Sequence, residues 1–176
     1  TTGENNTANG FRSLYFNTMG NFNTSIGFYA LSSNRTGSGN TAIGKQADVA
    51  SGDLFNATAI GAEAIVDANN KVRVGNDAVT VIGGKVGWSN LSDIRFKKDI
   101  QGSDLGLDFI NQLRPVSFRM KDGNGELDYG FIAQEVETAL GDRETNMVST
   151  GGGKEKMKSL RYTDLIAPLV KAVQEQ

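Results

Sequence analysis

The sequence predicts a repetitive trimeric β-roll or β-prism shaft, followed by a small α+β domain that ends in a coiled-coil-like helix. Three observations lead to this fold class: a 17-residue repeat near the start of the chain, a change of composition after about residue 70, and helical hydrophobic spacing at the end. At 176 residues, the chain has room for one ordinary domain or two small ones.

A short motif that ends in glycine recurs four times at constant spacing. It reads NTANG up to Gly10, NTSIG up to Gly27, NTAIG up to Gly44 and ATAIG up to Gly61, with 17 residues from each copy to the next. Each unit predicts one short strand closed by a glycine turn. One unit has too few apolar side chains to offset the entropy lost on ordering it, so the units must stack. We expect three chains to associate around a common axis; a solenoid built by one chain is the alternative.

Charge divides the chain into predicted domains. Residues 1–70 hold 8 charged residues, whereas residues 71–176 hold 30. We therefore expect a polar repeat shaft over 1–70, a β bridge over 71–91 and a separate domain over 92–176. These boundaries rest on composition and on the motifs described below.

Beyond the shaft, the pattern predicts mixed α and β structure. The bridge should contain a strand pair with Val72, Val74, Val79 and Val81. The last domain should begin with a helix capped by Ser103 or Asp104, followed by a β-hairpin around the turn KDGNGE. A second helix should present Ile132, Val136 and Leu140 and end at Gly141, before a second hairpin with a glycine-rich loop.

The final segment has the spacing of a helix seam. Tyr162, Ile166, Leu169 and Val173 follow one another at intervals of 4, 3 and 4 residues, the a/d pattern of a coiled coil. Pro168 lies near the start of this helix, where the missing N–H costs least. The seam favours parallel association of several chains.

Composition excludes several kinds of chemistry. The chain has no cysteine and no histidine, which excludes disulfides, thiol catalysis and a Cys/His metal site, so we expect no cofactor. Any acyl transfer must use Lys, Asp, Glu or a terminal amine as its base. A net charge of −2 argues against nucleic acid as a partner, and no apolar run approaches the length of a membrane span.

One motif, NLSDIRFKKDI at residues 90–100, combines a hydroxyl with several cations. Ser92 is a nucleophile only with a base beside it, and Lys97, or else Lys98, is the nearest one in sequence. A lysine acts as a base only as the neutral amine, which burial on assembly would favour. From spacing alone, the commoner interpretation is a capped turn with a solvated positive face.

The motif also resembles the Ser-Asp-x-Arg-x-Lys signature of the S74 peptidase family. This family comprises the C-terminal intramolecular chaperone domains of phage tailspikes, tail fibres and endosialidases. The resemblance continues through GLDFINQLRPVSFRM, YGFIAQEVE and LRYTDLIAPLVKAVQEQ, and so covers residues 92–176. The NTAIG repeats are similar to the shafts of bacterial surface and phage fibre proteins that carry this domain.

The resemblance implies a function and a set of site residues. Such a domain drives the upstream fibre shaft, its folding client, into a homotrimer, and then cuts the chain before the motif serine, here at Leu91–Ser92. It acts as a self-cleaving serine endopeptidase of one turnover, with Ser92 as nucleophile and Lys97 as general base. Asp93 and Arg95 match positions expected to orient the turn and hold the site together.

Other positions are less closely tied to the motif. Gln134 and Glu135 fall in the GFIAQEVE segment and are expected near the site. Leu91 stands where a small residue would ease a strained turn. The doubled lysine allows Lys98 to compete with Lys97 as the base.

Two other functions compete with self-cleavage. The C-terminal domain could be a non-catalytic trimerisation knob of a structural fibre or adhesin. The shaft could bind a host-surface glycan or receptor through its aromatic residues, although an inter-chain core explains them better; they are Phe11, Tyr15, Phe16, Phe22, Phe28 and Tyr29. The parent protein is expected on a virion or on a bacterial cell surface.

Overall fold

The structure is a computed structural model that describes residues 2–121, 124–151 and 156–176. It contains two compact units that divide between Thr80 and Val81. The first is built from the chain up to Thr80 together with Gly151, Lys156 and Met157, and the second from Val81–Thr150 together with Lys158–Gln176. The domain boundaries at residues 70 and 91 stay predictions based on composition and motif.

The first unit is a β-solenoid of about four turns. Its strands, in chain order, are β1 (Thr7–Asn9), β2 (Thr24–Ile26), β3 (Thr41–Ile43), β4 (Asp48–Val49), β5 (Thr58–Ile60), β6 (Ile65–Val66) and β7 (Val72–Val74). The main sheet is parallel in the order β1-β2-β3-β5-β7, and β4 pairs with β6 beside it. Each strand therefore pairs with the next turn of the same chain.

The predicted 17-residue register is confirmed by the strand pairing. Thr7 lies opposite Thr24, Thr24 opposite Thr41, and Thr41 opposite Thr58. The last step is shorter, because Thr58 lies opposite Val72, 14 residues on. The repeat is thus the length of chain needed for one turn of the solenoid.

In β2, β3 and β5, the small central residue faces inward and the isoleucine faces outward. Ser25, Ala42 and Ala59 are fully buried. Their neighbours Ile26, Ile43 and Ile60, one above the other, are 42%, 40% and 39% exposed. We call these three residues the isoleucine ladder. Alternation along a strand sends neighbouring side chains to opposite faces, so the motif's largest apolar group remains outside the core.

A ladder of buried asparagines, which the sequence analysis missed, runs through the same turns. Asn40 donates its backbone N–H to Asn23 Oδ1 at 2.9 Å, and its own Oδ1 accepts the N–H of Ala57 at 2.9 Å. Its side-chain amide donates to the Leu54 carbonyl at 2.6 Å and to Asn34 Oδ1 at 3.1 Å. Buried polar groups with partners link each turn to the next, where a thin solenoid has little apolar material.

The repeat glycine is required by the close approach of successive turns. Gly27 has φ +134, and a Cβ built on it would lie 2.5 Å from the carbonyl oxygen of Gly44. Gly10 and Gly44 repeat this conformation, with φ of +131 and +133. An L side chain would be strained in this conformation and would also displace the neighbouring backbone.

The predicted strand pair in the bridge is only half correct. Val72–Val74 forms β7, but Val79 and Val81 lie outside any strand. The chain turns directly after β7, since Gly75 has φ +78 and Val79 donates its N–H to the carbonyl of Asn76 at 3.2 Å. Val79 and Val81 therefore have the alternating spacing of a strand but do not form one.

The described residues of the second unit form three short α-helices and two hairpins, besides two 3₁₀ turns. Its elements are α1 (Leu107–Gln112), β8 (Val116–Phe118), β9 (Asp128–Gly130), α2 (Ala133–Leu140), β10 (Val148–Thr150), β11 (Lys158–Leu160) and α3 (Ile166–Gln174). Strands β8 and β9 are antiparallel, as are β10 and β11, which confirms both predicted hairpins. Four residues of the glycine-rich loop, 152–155, lie outside the described residues.

Helix α2 matches its predicted face and end. Val136 and Leu140 are buried with Phe109 and Met147 in the core of this unit. Ile132 is the N-cap residue and remains partly exposed. Gly141 ends the helix with φ +62, a positive value that glycine adopts without the strain of a side chain.

Helix α1 begins later than predicted. It starts at Leu107, because the Ser103 hydroxyl is engaged by the backbone of Leu105, accepting its N–H and donating to its carbonyl. The Leu107 N–H instead donates to the carboxylate of Glu175 at 2.6 Å. The residue that caps this helix is therefore 68 residues away in sequence, and the spacing of nearby residues could not predict it.

The apolar seam of the final helix lies on the surface of this unit. Tyr162, in a short 3₁₀ turn, and Ile166, Leu169 and Val173 of α3 are all exposed. We call these four residues the helix seam. In the described parts of the chain, no helix is both long and apolar enough to cross a membrane.

Candidate active site

Ser92 and Lys97 lie within hydrogen-bond distance of each other. Lys97 Nζ is 2.8 Å from Ser92 Oγ, with the ammonium as donor. Both residues flank a short 3₁₀ turn, Ile94–Phe96, which brings positions five residues apart in sequence together. A neutral lysine in the same place could accept the hydroxyl proton and leave an alkoxide beside the Leu91 carbonyl.

Asp93 and Arg95 hold this turn in shape. Asp93 is the N-cap residue, and its Oδ1 accepts the backbone N–H of Arg95 at 2.9 Å. The Arg95 guanidinium donates to both carboxylate oxygens, at 3.0 Å to Oδ1 and 2.6 Å to Oδ2. These bonds from the Arg95 side chain, and then from its backbone, lower the pKa of Asp93, so the carboxylate stays ionised into acid solution.

The site lies in a segment with little burial of its own. From residue 81 to residue 100, every residue except Asp93 is exposed. Large apolar side chains surround the pair; Trp88 is 89% exposed, and Leu91, Ile94 and Phe96 are more than two-thirds exposed. Within one chain, water therefore reaches the pair freely.

Gln134 and Glu135 are not joined to this pair by any described hydrogen bond or ion pair. Both lie in the first turn of α2. Glu135 binds Arg114 through two hydrogen bonds, one of 3.1 Å from Nε and a shorter one from Nη2. The Gln134 carbonyl accepts the Thr138 hydroxyl at 3.0 Å. Their expected place beside the cleavage site stays a prediction, and the Arg114 contact was missed because it joins two separate elements.

The second lysine differs from the first in its contacts. In the described parts of the chain, no hydrogen bond or ion pair links Lys98 to Ser92, whereas Lys97 makes that contact directly. Leu91, on the other side of the predicted scissile bond, is exposed. The described residues also contain no group of three or more Asp and Glu residues able to hold a metal ion.

A comparison with protein families finds one family model that matches this segment. Residues 92–143 match the family model Peptidase_S74, described as chaperone of endosialidase. Over residues 92–143 this confirms the resemblance drawn from the sequence motifs, and the matched segment includes Ser92, Lys97 and the Gln134–Glu135 pair; the resemblance of residues 144–176 stays a prediction. No curated protein and no solved structure matches the chain.

Proposed function

We propose that this chain, which matches Peptidase_S74 over residues 92–143, is an intramolecular chaperone. It assembles a fibre or tailspike-like protein as a homotrimer and then releases itself by cutting Leu91–Ser92. The observation that carries the proposal is the 2.8 Å contact between Lys97 Nζ and Ser92 Oγ inside the matched segment. The parent protein then belongs on a virion or a bacterial surface, and these two locations remain alternatives.

The chemistry needs only the chain and water. Neutral Lys97 takes the proton of the Ser92 hydroxyl, and Oγ attacks the carbonyl carbon of Leu91. The Leu91–Ser92 C–N bond breaks as the Ser92 nitrogen leaves with a proton, so the Leu91 acyl group becomes an ester on Oγ. Water then hydrolyses the ester, which yields a Leu91 carboxylate, a free Ser92 hydroxyl and a new amino terminus.

Asp93 and Arg95 act by positioning. Their three hydrogen bonds fix the turn that separates Ser92 from Lys97. Intramolecular reactions gain large effective concentrations only when the reacting groups are aligned. We therefore expect substitutions at Asp93 to slow cleavage without removing a group that reacts.

Assembly would act as the trigger for cleavage. The exposed side chains of Trp88, Leu91, Ile94 and Phe96 form an apolar surface that a single chain leaves in water. Burial of this surface against other copies would exclude water from the site and favour the neutral amine of Lys97. Cleavage after assembly removes the chaperone and leaves the shaft kinetically trapped.

The first test is the intact mass of the purified protein, with three variants beside it. Ser92→Ala should abolish a cut at Leu91–Ser92. Lys97→Arg should do the same, because arginine keeps the positive charge and the hydrogen-bond donors but does not deprotonate in proteins. Lys98→Arg, the matched control, should be cut like the unaltered chain.

These masses distinguish a self-cleaving chaperone from a non-catalytic trimerisation knob. Loss of the cut in Lys97→Arg and not in Lys98→Arg would assign the base to Lys97. A full-length mass for the unaltered chain, measured after it has formed trimers, would favour the non-catalytic trimerisation knob. A cut that persists in Ser92→Ala would remove Ser92 as the nucleophile.

A further inference from the structure

The first two turns of the solenoid carry a continuous exposed group of aromatic and cationic side chains. We call it the aromatic platform; it consists of Phe11, Arg12, Tyr15, Phe16, Phe28, Tyr29 and Arg35. The rings of Phe11 and Phe28 stack with centroids 5.6 Å apart and 15° between their planes. Phe11 is 62% exposed, and the other rings of the platform are also exposed or partly exposed.

Two arginines lie among these rings. The Arg12 guanidinium is 5.0 Å from the ring centroid of Tyr15 and 5.2 Å from that of Phe11. Arg35 lies 5.4 Å from the Phe16 ring. Over residues 2–121, 124–151 and 156–176, neither arginine forms an ion pair with a carboxylate. The platform therefore offers flat apolar faces and positive charge together.

The platform is confined to one end of the described shaft. At the registers of Phe11 and Phe28, the next two turns have Lys45 and Ala62. Lys45 forms an exposed ion pair with Glu63 at 3.0 Å. A contact between chains along the shaft would need an apolar surface that continues through successive turns, and this surface ends after the second.

The isoleucine ladder has the property that the platform lacks. It continues through the second, third and fourth strands of the sheet with nearly constant exposure. This contrast favours the isoleucine ladder, and not the aromatic residues, as the contact between chains along the shaft. The exposed rings and arginines of the platform would instead suit a ligand that has flat apolar faces and negative charge.

We propose that the aromatic platform binds a carboxylated carbohydrate. Pyranose rings present an apolar face that can lie on the stacked rings of Phe11 and Phe28. The sugar carboxylate would pair with Arg12, whose planar guanidinium can bind both of its oxygens. The site lies in the shaft and does not depend on cleavage at Leu91–Ser92, so the two proposals can fail separately.

The test uses the full 176-residue chain and calorimetric titration with oligogalacturonate, oligomannuronate and hyaluronan fragments. We expect at least one of the three to bind, and its methyl ester, which has the same backbone without the charge, to bind at least about tenfold more weakly. Added salt should weaken binding of the acid more than that of the ester.

A platform variant can be made from residues that the shaft already tolerates. At the repeat position of Phe11 and Phe28, a later turn already has alanine, Ala62, so both phenylalanines are changed to alanine. At the repeat position of Arg12, a later turn has Gln46 with the same left-handed backbone conformation, so Arg12 is changed to glutamine. The triple variant should fold and should lose affinity by at least about tenfold. Phe55→Ala, which removes an exposed ring outside the platform, should bind as the unaltered protein does.

Three results would overturn the proposal. The first is that none of the three acidic oligosaccharides binds. The second is that acid and methyl ester bind equally, which would exclude the role of Arg12. The third is that the triple variant changes the number of chains in the assembly, measured by sedimentation, because the platform would then be an interface between copies.

Discussion

At the scale of single residues, the clearest departure from the repeat is Asp48. It occupies the register at which other turns have Leu14, Leu31 and Ile65, and its side chain is buried. The carboxylate accepts hydrogen bonds from the backbone N–H of Val49 at 2.8 Å and of Ser33 at 3.0 Å. Burial raises the pKa of Asp48 from its usual value, and these hydrogen bonds only partly oppose the effect.

This carboxylate should make the stability of the shaft depend on pH. The folded state holds the Asp48 proton more tightly than the unfolded state does. The contribution of this proton to stability is therefore complete below the usual pKa near 3.8 and is lost as pH rises through the raised pKa. Asp48→Asn, neutral throughout, should therefore equal the unaltered chain at low pH and exceed its stability at neutral pH. Urea unfolding across this pH range measures the difference.

A matched control uses a carboxylate on the surface of the same shaft. Asp53→Asn removes an exposed carboxylate and serves as the surface comparison for the same pH series. If the curves of Asp48→Asn and the unaltered chain ran parallel, burial of Asp48 would not be the source of the pH dependence.

At the scale of elements, the solenoid turns are joined by asparagine side chains as well as by strand pairing. Asn40→Ala would leave the Ala57 N–H, the Leu54 carbonyl and Asn34 Oδ1 without that partner inside the solenoid. An unsatisfied buried group costs about 1–3 kcal/mol, so we expect a loss of roughly 3 kcal/mol in the free energy of unfolding. Denaturant unfolding of the shaft measures it.

The control for this ladder is an asparagine on the outside of a strand. Asn9 belongs to β1 and is exposed, so Asn9→Ala should stay within about 0.5 kcal/mol of the unaltered protein. Equal losses for the two variants would mean that the ladder contributes nothing beyond strand propensity.

At the scale of the whole molecule, each unit exposes an apolar surface that one chain does not cover. In the first unit it is the isoleucine ladder, and in the second it is the helix seam. A cleft of about 390 Å³ lies beside the seam, lined by apolar residues that include Ile110, Leu113 and Leu169. Surfaces of this kind in a soluble protein usually mark contacts with another chain.

We therefore expect each surface to contribute to the trimer. On an uncut Ser92→Ala background, Leu169→Glu and Ile43→Glu should each shift the mass from three copies toward one, because a buried unpaired charge is costly. Met120→Glu, exposed but outside both surfaces, should remain trimeric. Sedimentation velocity at several concentrations distinguishes these states, and a single-copy mass for the Ser92→Ala parent at every concentration would contradict the trimer.

The sequence by itself determined the features that depend on local spacing. The repeat period, the two hairpins and helix α2 with its terminal Gly141 all follow from neighbours a few residues apart or from an unbroken register. The Ser92–Lys97 contact also lies within one short turn, but spacing alone left Lys98 as an alternative base, and only the family resemblance favoured Lys97.

Only the tertiary structure decided the features that join distant residues or choose between two faces of a strand. The Leu107 N–H donates to the carboxylate of Glu175, and the Arg114 guanidinium donates to the carboxylate of Glu135. The sequence showed the spacing of the repeat, but it did not show that the isoleucines face outward while asparagines are buried beside the apolar core. A strand pattern shows that neighbouring side chains alternate, and stacking of the turns decides which of its faces becomes the core.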